Sequence, residues 1–353
     1  IRAGLLWAVL LTAALSAAAV VAGRAALSDQ DASPRTTERE VPAPRHPFLI
    51  MNPRSGGGKV GRFDLVAKAR ELGAEVALME GAEVDVAAIA RAAVAAGADL
   101  LGVAGGDGTQ ALVAGIAADH GVPFMVISAG TRNHFALDLG LDRDNPALGL
   151  DALSDGVEVT VDLGSIAGRT FVNNASFGAY AGVVQSPAYR ADKAGTALDL
   201  LPTLLTRHAR PVLRVRTGGL HLSGPQAVLV SNNTYVTEDI IGLGRRARLD
   251  TGVLGVVAVK VESAADAARL ARGTGARSVW RGTCQEVVVD AEAESLPVGV
   301  DGEALDLPTP ITCVIRPAAL RVRVPRHRPG VPPVRARLSW TGLARLALTG
   351  RRA

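Results

Sequence analysis

The chain has 353 residues, 48% of them hydrophobic but only 3% aromatic, and a formal net charge of +4. That length suits two domains and a short extra segment, with a core built mainly from Ala, Val and Leu. The modest charge gives no ground for a nucleic-acid partner. Cys284 and Cys313 have neither metal-ligand spacing nor a reason to pair, so a reducing compartment is the expectation.

Gly4 to Gly23 is uncharged and largely apolar, flanked by Arg2 and Arg24. About 20 such residues cross a bilayer, so residues 1–24 are expected to form a transmembrane helix. A signal peptide and a soluble alanine-rich helix are the competing readings. The chain opens on Ile1 rather than Met, and further residues are expected upstream. Residues 25–46 carry Pro34, Pro42 and Pro44 among Ser, Thr and charged residues, with no apolar period, and read as a linker.

The folded part begins near Phe48. Phe48–Met51 is a short buried strand, followed by the glycine loop Asn52–Lys59 and a helix from about Arg62 to Leu72. A strand over Glu75–Glu80, a helix capped by Asp85 and running to Ala96, and a strand opening at Asp99 come next. Then follow a helix expected to be capped by Thr109 and a strand over Pro123–Ser128. Alternating strands and helices predict a parallel α/β domain over 47–150, with ligand-binding loops at the carboxyl ends of its strands. Beyond about residue 157 the pattern changes. Val157–Leu163, Val212–Arg216, Val253–Val261, Gln285–Asp290 and Ile311–Ile315 read as strands, with helices near Gly195–Thr206 and Ala264–Arg272. A mostly antiparallel β-sandwich over 151–325 is predicted. After Asp306 there is no acid, and seven arginines fall between Arg326 and Arg352. Residues 326–353 thus form a basic tail with interleaved Leu338, Trp340, Leu343, Leu346 and Leu348. It suits an anionic membrane surface, or packs as a closing helix.

Three glycine-bearing loops follow Met51, Ala104 and Ser128. The stretch Ala104-Gly105-Gly106-Asp107-Gly108-Thr109 is strand, glycine turn and helix start, which together make an anion site. An acid there would repel phosphate, so Asp107, expected in an exposed turn, makes sense if it holds a metal ion or a sugar hydroxyl. The window Gly106–Ala111 also fits the loose dinucleotide pattern, but the next strand ends in Ala129-Gly130 without the expected ribose-binding acid. The loop Asn52–Lys59 has P-loop composition without P-loop spacing. Its Gly56–Gly58 amides can still cradle phosphate, with Arg54 or Lys59 to neutralise it. In Gly130–Leu141, Thr131 can cap a helix, Asn133 offers a two-way amide, and His134 is expected at the surface.

In this order the loops resemble the diacylglycerol kinase catalytic family, which includes bacterial lipid kinases and sphingosine kinases. The resemblance rests on Asn52-Pro53-Arg54-Ser55-Gly56, Gly105-Gly106-Asp107-Gly108-Thr109 and Gly130-Thr131-Arg132-Asn133-His134-Phe135-Ala136. It continues through Val161–Gly164, Phe171–Gly178, Val300-Asp301-Gly302-Glu303 and Pro317–Pro325. It implies a two-domain lipid kinase with Mg-ATP in the cleft and a membrane lipid hydroxyl as acceptor. The residues it implies at the nucleotide are Asn52, Ser55, Gly56, Lys59, Gly105, Gly106, Gly108, Thr109, Gly130, Thr131, Asn133 and Glu303, with Asp107 at the magnesium. Asp301 is the implied base, although Asp301-Gly302 is equally a good hairpin turn. Where the family often has two adjacent acids before a glycine, in some members part of a structural magnesium site, this chain has Asp250-Thr251-Gly252. Asp250 alone is a poor candidate for that ion. The rival readings are a NAD-kinase-like phosphotransferase and a non-catalytic nucleotide- or lipid-binding membrane protein. The lipid-kinase reading places the catalytic part in the cytoplasm, where ATP is, and leaves the oligomeric state open.

Overall fold

The computed structural model describes residues 37–81, 84–185, 211–235, 245–261, 266 and 278–331. The expected transmembrane helix, the helix near Gly195–Thr206, nearly all of the one near Ala264–Arg272 and the tail beyond Val331 lie outside the described residues. Among the described residues no helix is long and apolar enough to cross a membrane.

The first described strand, β1 (Glu38–Glu40), falls inside the stretch expected as linker. The α/β unit then runs β2 (Pro47–Met51), α1 (Lys59–Arg62), α2 (Leu65–Glu71), β3 (Glu75–Leu78), α3 (Val86–Ala95), β4 (Leu100–Ala104), α4 (Asp107–Asp119), β5 (Phe124–Ile127) and α5 (His134–Asp138). The strands pair in parallel in the order β5-β4-β2-β3. β4 is buried at all five positions, as its unbroken apolar run requires. Asp85 caps α3 as expected, its carboxylate accepting from the Ala88 amide at 2.9 Å. The single helix expected from Arg62 to Leu72 is instead two short ones. Asp64 between them is left-handed (φ 52°), a conformation that short polar Asp tolerates and that ends a helix.

A 3₁₀ turn over Pro146–Leu153 leads into the second unit. Its elements are β6 (Gly156–Ile166), β7 (Arg169–Phe171), β8 (Asn174–Gly178), α6 (Ala179–Gln185), β9 (Leu213–Thr217), β10 (Leu220–Ser223), β11 (Ala227–Asn232), β12 (Leu254–Val259), β13 (Val279–Cys284), β14 (Glu286–Ala291), β15 (Ser295–Val300), β16 (Glu303–Pro308) and β17 (Ile311–Pro325). One antiparallel sheet has the order β13-β12-β11-β8-β15-β16. Its Phe177, Val228, Val256 and Val298 pack against Val215, Val287, Val289 and Cys313 of the facing sheet. This is the expected sandwich.

The facing sheet does not stop at the sandwich. Its order β10-β9-β14-β17 continues into β5-β4-β2-β3, so one sheet runs through both units. β17 pairs with β14 through Ile311–Val314 and, further along, in parallel with β5 at Val322 and Arg323. β6 runs antiparallel beside it over the same span, with a register shift between Arg316 and Leu320. Val157, Val159, Val161, Leu320, Val322 and Val324 therefore join the core of the α/β unit, while Ile166, Ile311 and Cys313 join that of the sandwich. Two strands shared between two cores fix the units against each other. Cys284 and Cys313 are both free thiols.

Candidate active site

β2, β4 and β5 end at one edge, and their loops meet there backbone to backbone. A Cβ on Gly56 (φ +55°) would stand 2.4 Å from the Ala129 carbonyl oxygen and 2.8 Å from that of Gly130. A Cβ on Gly130 would stand 2.8 Å from the Gly105 oxygen and 3.0 Å from Gly106 Cα. Only glycine allows the loops this close. Asn52 ties the first loop to the second through its amide, which donates to the Ala104 oxygen at 2.8 Å. Its side-chain oxygen accepts from the Arg54 amide at 3.0 Å, and its carbonyl from the Ser55 amide at 3.1 Å. Lys59 Nζ donates to the Arg143 oxygen at 2.7 Å and the Ser128 oxygen at 3.3 Å. Burial, then the charge of Arg143, hold its pKa below the usual lysine value.

Asn133, rather than Thr131, occupies the cap position of α5, with φ 56°. It is fully buried. Its oxygen accepts from the Gly130 amide at 2.7 Å, and its amide donates to the Ser128 and Gly130 oxygens at 3.1 and 2.8 Å. The side chain staples the third loop and so shapes the site, while Thr131 is exposed.

α4 begins two residues earlier than its expected Thr109 cap. Gly106 is the cap residue (φ −74°, ψ 166°), no side chain caps this end, and Asp107 opens the helix. The first-turn amides are thus left for an anion. Asp107 is not in an exposed turn: it is only 9% exposed, and its Oδ1 is buried without a hydrogen-bond partner. Gln110, which the sequence reading passed over, is fully buried below it. Gln110 Nε2 donates to the Gly105 oxygen at 2.9 Å, and its Oε1 has no partner. His134 is half-buried rather than exposed. Its Nε2 is buried without a partner; burial lowers its pKa, and the charge of Asp107 works the other way.

The sandwich reaches this site through the β15–β16 hairpin. A Cβ on Gly108 would stand 2.0 Å from Glu303 Oε1, so Glu303 lies against the first turn of α4. That placement suits a carboxylate near a helix N-terminus. Asp301 and Gly302 form the two-residue hairpin turn, both at positive φ (47° and 83°). The Asp301 carboxylate accepts from the amides of Val172 at 2.8 Å, Asn173 at 2.8 Å and Asn174 at 3.0 Å. Burial, joined by the charge of Asp107 and opposed by these three amides, pushes its pKa up to about 7.

Beneath Asp301 lies a network that no sequence motif announced. Arg246 is fully buried and bonds Asp138 of α5 through Nε at 2.7 Å. It also donates to the Val172 oxygen at 2.6 Å, the Asn232 oxygen at 2.8 Å and Asn173 Oδ1 at 2.8 Å. Asn174 Nδ2 donates to the Tyr235 hydroxyl at 2.9 Å, and burial raises that phenol to about 12.

Asp250 pairs with Arg248 at 2.8 Å. Among the described residues no group of three or more His, Cys, Asp or Glu could hold an ion. Asp162 does the tying here. Its Oδ2 accepts from Asn233 Nδ2 at 2.8 Å and the Gly252 amide at 2.6 Å, and its Oδ1 from the Ala318 amide at 2.8 Å. Two arginines of the expected basic tail are committed to ion pairs within the fold: exposed Arg326 pairs with Glu40 and Asp155, and buried Arg328 with Glu38, clamping β1.

Comparison with known proteins agrees with this geometry. The family profile described as diacylglycerol kinase catalytic domain matches residues 46–166. A diacylglycerol kinase of Mycobacterium tuberculosis is 28% identical over 297 residues, covering 79% of this chain and 94% of the relative. A Pseudomonas aeruginosa protein named "Probable lipid kinase YegS-like" is 29% identical over 297 residues, covering 80% and 95%. A crystal structure of a diacylglycerol kinase from Bacillus anthracis superposes with a TM-score of 0.62 at 19% identity, covering 80% of this chain and 98% of that one. The ordered loops, the two-unit fold and these relatives agree: residues 46–166 match a diacylglycerol kinase catalytic domain, and the protein is a kinase similar to bacterial lipid kinases over about four fifths of its length.

Proposed function

We propose that the protein transfers the γ-phosphoryl group of Mg-ATP to a hydroxyl of a membrane lipid of diacylglycerol-like or sphingoid-like type. The observation that carries the reading is the meeting of two units at one cleft. The glycine loops and the uncapped start of α4 belong to one, and Asp301 and Glu303 on a rigid hairpin belong to the other. Phosphoryl transfer needs aligned phosphates, charge neutralisation and a group to take the hydroxyl proton. Gly56 and Gly130 let the loops close on one another, and Gly106, with open space where a Cβ would stand, leaves room for phosphate at the start of α4. Asp107, whose buried Oδ1 has no partner, would hold magnesium. When bound, that ion supplies charge neutralisation on the phosphates. Asp301, with its pKa near 7, accepts the proton of the acceptor hydroxyl at neutral pH. Asn133 and Lys59 hold the loops in shape. Residues 1–24 anchor the enzyme and the tail meets anionic headgroups, with the catalytic units on the cytoplasmic side.

Labelled ATP offered with a total lipid extract, and separately with NAD, tests the reading. Label in a lipid supports it. Label in NAD instead identifies a NAD-kinase-like enzyme, and ATP binding without transfer identifies a binding protein.

A further inference from the structure

Arg246 and Asp301 meet the same peptide group from opposite ends. The Val172 carbonyl oxygen accepts from Arg246 Nη1 at 2.6 Å. The amide of that same peptide, Asn173 N–H, donates to Asp301 Oδ1 at 2.8 Å. Arg246 Nη2 also holds the Asn173 side chain at 2.8 Å, which fixes the peptide plane. A cation on the oxygen of a peptide polarises its N–H toward an anion on the far side, and serial hydrogen bonds strengthen one another in a poorly solvated interior. On its other face Arg246 is paired with Asp138, the last residue of α5, through both its backbone amide at 3.1 Å and Nε at 2.7 Å. α5 opens directly after the third glycine loop. A continuous line of contacts thus runs from the nucleotide side of the cleft, through Asp138, Arg246 and one peptide, to the acceptor-side carboxylate.

We propose that Arg246 is a positioning residue that keeps the Asp301 carboxylate ionised and aimed through the shared Val172–Asn173 peptide, balanced by its pairing with Asp138 of α5. The proposal rests on the reading of Asp301 as the base. Other charged or titratable groups acting on Asp301 are Asp107 from α4 and Tyr235 from the segment after β11. Asp107 opposes ionisation, and Arg246 works against it. A merely structural arginine would brace the two units and leave the charge state of Asp301 alone.

The test follows Asp301 directly. Full-length protein carrying ¹³C-labelled aspartate is titrated by NMR, and the Asp301 carboxyl is assigned by the signal lost in Asp301→Asn. The double variant Arg246→Gln/Asp138→Asn removes the cation and its partner together, so that no lone buried charge remains. Its Asp301 midpoint is expected to rise by about one pH unit, a roughly tenfold loss of ionised form below the midpoint. Asp138→Asn alone leaves the cation unshared, and its midpoint is expected to fall. Arg246→Lys keeps the charge but replaces Nε, Nη1 and Nη2 with a single nitrogen, and its midpoint should fall between those of wild type and the double variant. In parallel, the acid limb of kcat/KM for diacylglycerol in mixed micelles should move with each midpoint. If the double variant folds and its midpoint stays put while activity falls equally at every pH, Arg246 only braces the fold and the proposal is overturned. Should the double variant not fold, a midpoint in Asp138→Asn that is unmoved or raised overturns it equally. If midpoints shift as expected but Asp301→Asn keeps the full rate, the coupling stands and the assignment of Asp301 as base is what fails.

Discussion

Asp301→Asn should cost activity and yet raise stability at alkaline pH. The folded protein holds this carboxyl at about 7 against an ordinary 3.8, chiefly through burial. As pH rises, the unfolded chain therefore gives up this proton first. The contribution favouring the fold is complete below about pH 4 and is lost as pH passes 7. The full interval is worth about 4 kcal/mol, and the residue is not wholly closed off from solvent, so about 2 kcal/mol is the working figure. Asparagine imitates the protonated acid, including the unfavourable meeting of one NH₂ with the Val172 amide, but does not titrate. Denaturant unfolding of both proteins at pH 5 and pH 8, which spans somewhat more than half of that contribution, should show the variant gaining on wild type by about 1 kcal/mol over that range. The same variant should lose about 10²–10⁴-fold in kcat while binding ATP normally. Parallel stability profiles for the two proteins would refute the argument, because Asp301 would then titrate like an exposed aspartate.

Asp107→Asn removes a charge whose buried Oδ1 has no hydrogen-bond partner, so it should keep stability close to wild type while lowering Mg-ATP affinity and turnover by several kcal/mol; calorimetric titration with Mg-ATP measures this. Gly56→Ala places a methyl 2.4 Å from the Ala129 oxygen at φ +55°, and should destabilise by about 2–4 kcal/mol and weaken nucleotide binding, read by thermal unfolding and the same titration. Asp162→Asn turns an acceptor oxygen into a donor facing the Ala318 amide, or facing the Asn233 and Gly252 donors. It should cost about 1–3 kcal/mol, seen as a lower unfolding midpoint with no added sensitivity to chelators. Removal of residues 1–36 spares β1 and should leave a folded kinase that binds anionic vesicles in a salt-sensitive way, and Arg345, Arg351 and Arg352 changed to Glu should weaken that binding; vesicle sedimentation at low and high salt reads both.

The glycine loops were legible because their chemistry is local. Gly105-Gly106-Asp107-Gly108-Thr109 after a buried apolar run can be little else than a strand-to-helix turn, and β4 and α4 are where that run places them. The cap was misplaced because Thr109 is a good cap by type, while Gly106 reaches the extended cap conformation first. β8 and β15 were missed for a compositional reason. Asn-Ala-Ser-Phe-Gly and Ser-Leu-Pro-Val-Gly-Val lack the alternating β-branched pattern, and both are central or near-central strands set by their neighbours. Asn133 has the right residue type for a ligand contact, but a buried amide with three backbone partners is already committed to the loop. Arg246 carries no signal at all in the sequence. It sits among Arg245 and Arg248, and only the fold decides which arginine is buried.

That distinction bears on how the two halves of the chemistry stay aligned. The nucleotide loops sit on β2, β4 and β5, and Asp301 sits on a hairpin of the other sheet. Two hinged units would let the distance between them wander, and misplacement by about 1 Å can cost a hundredfold in rate. Here β6 and β17 run through both cores, and Asp162 on β6 gathers Asn233, Gly252 and the Ala318 bend of β17 to itself. The register shift between Arg316 and Leu320 lies at this bend, where β17 passes from one core to the other. Arg246 then closes the gap on the cleft side, bonding α5 to the Val172–Asn173 peptide. A frame of continuous strands behind the cleft and one buried guanidinium beside it are enough to hold the hairpin of Asp301 and Glu303 against the start of α4.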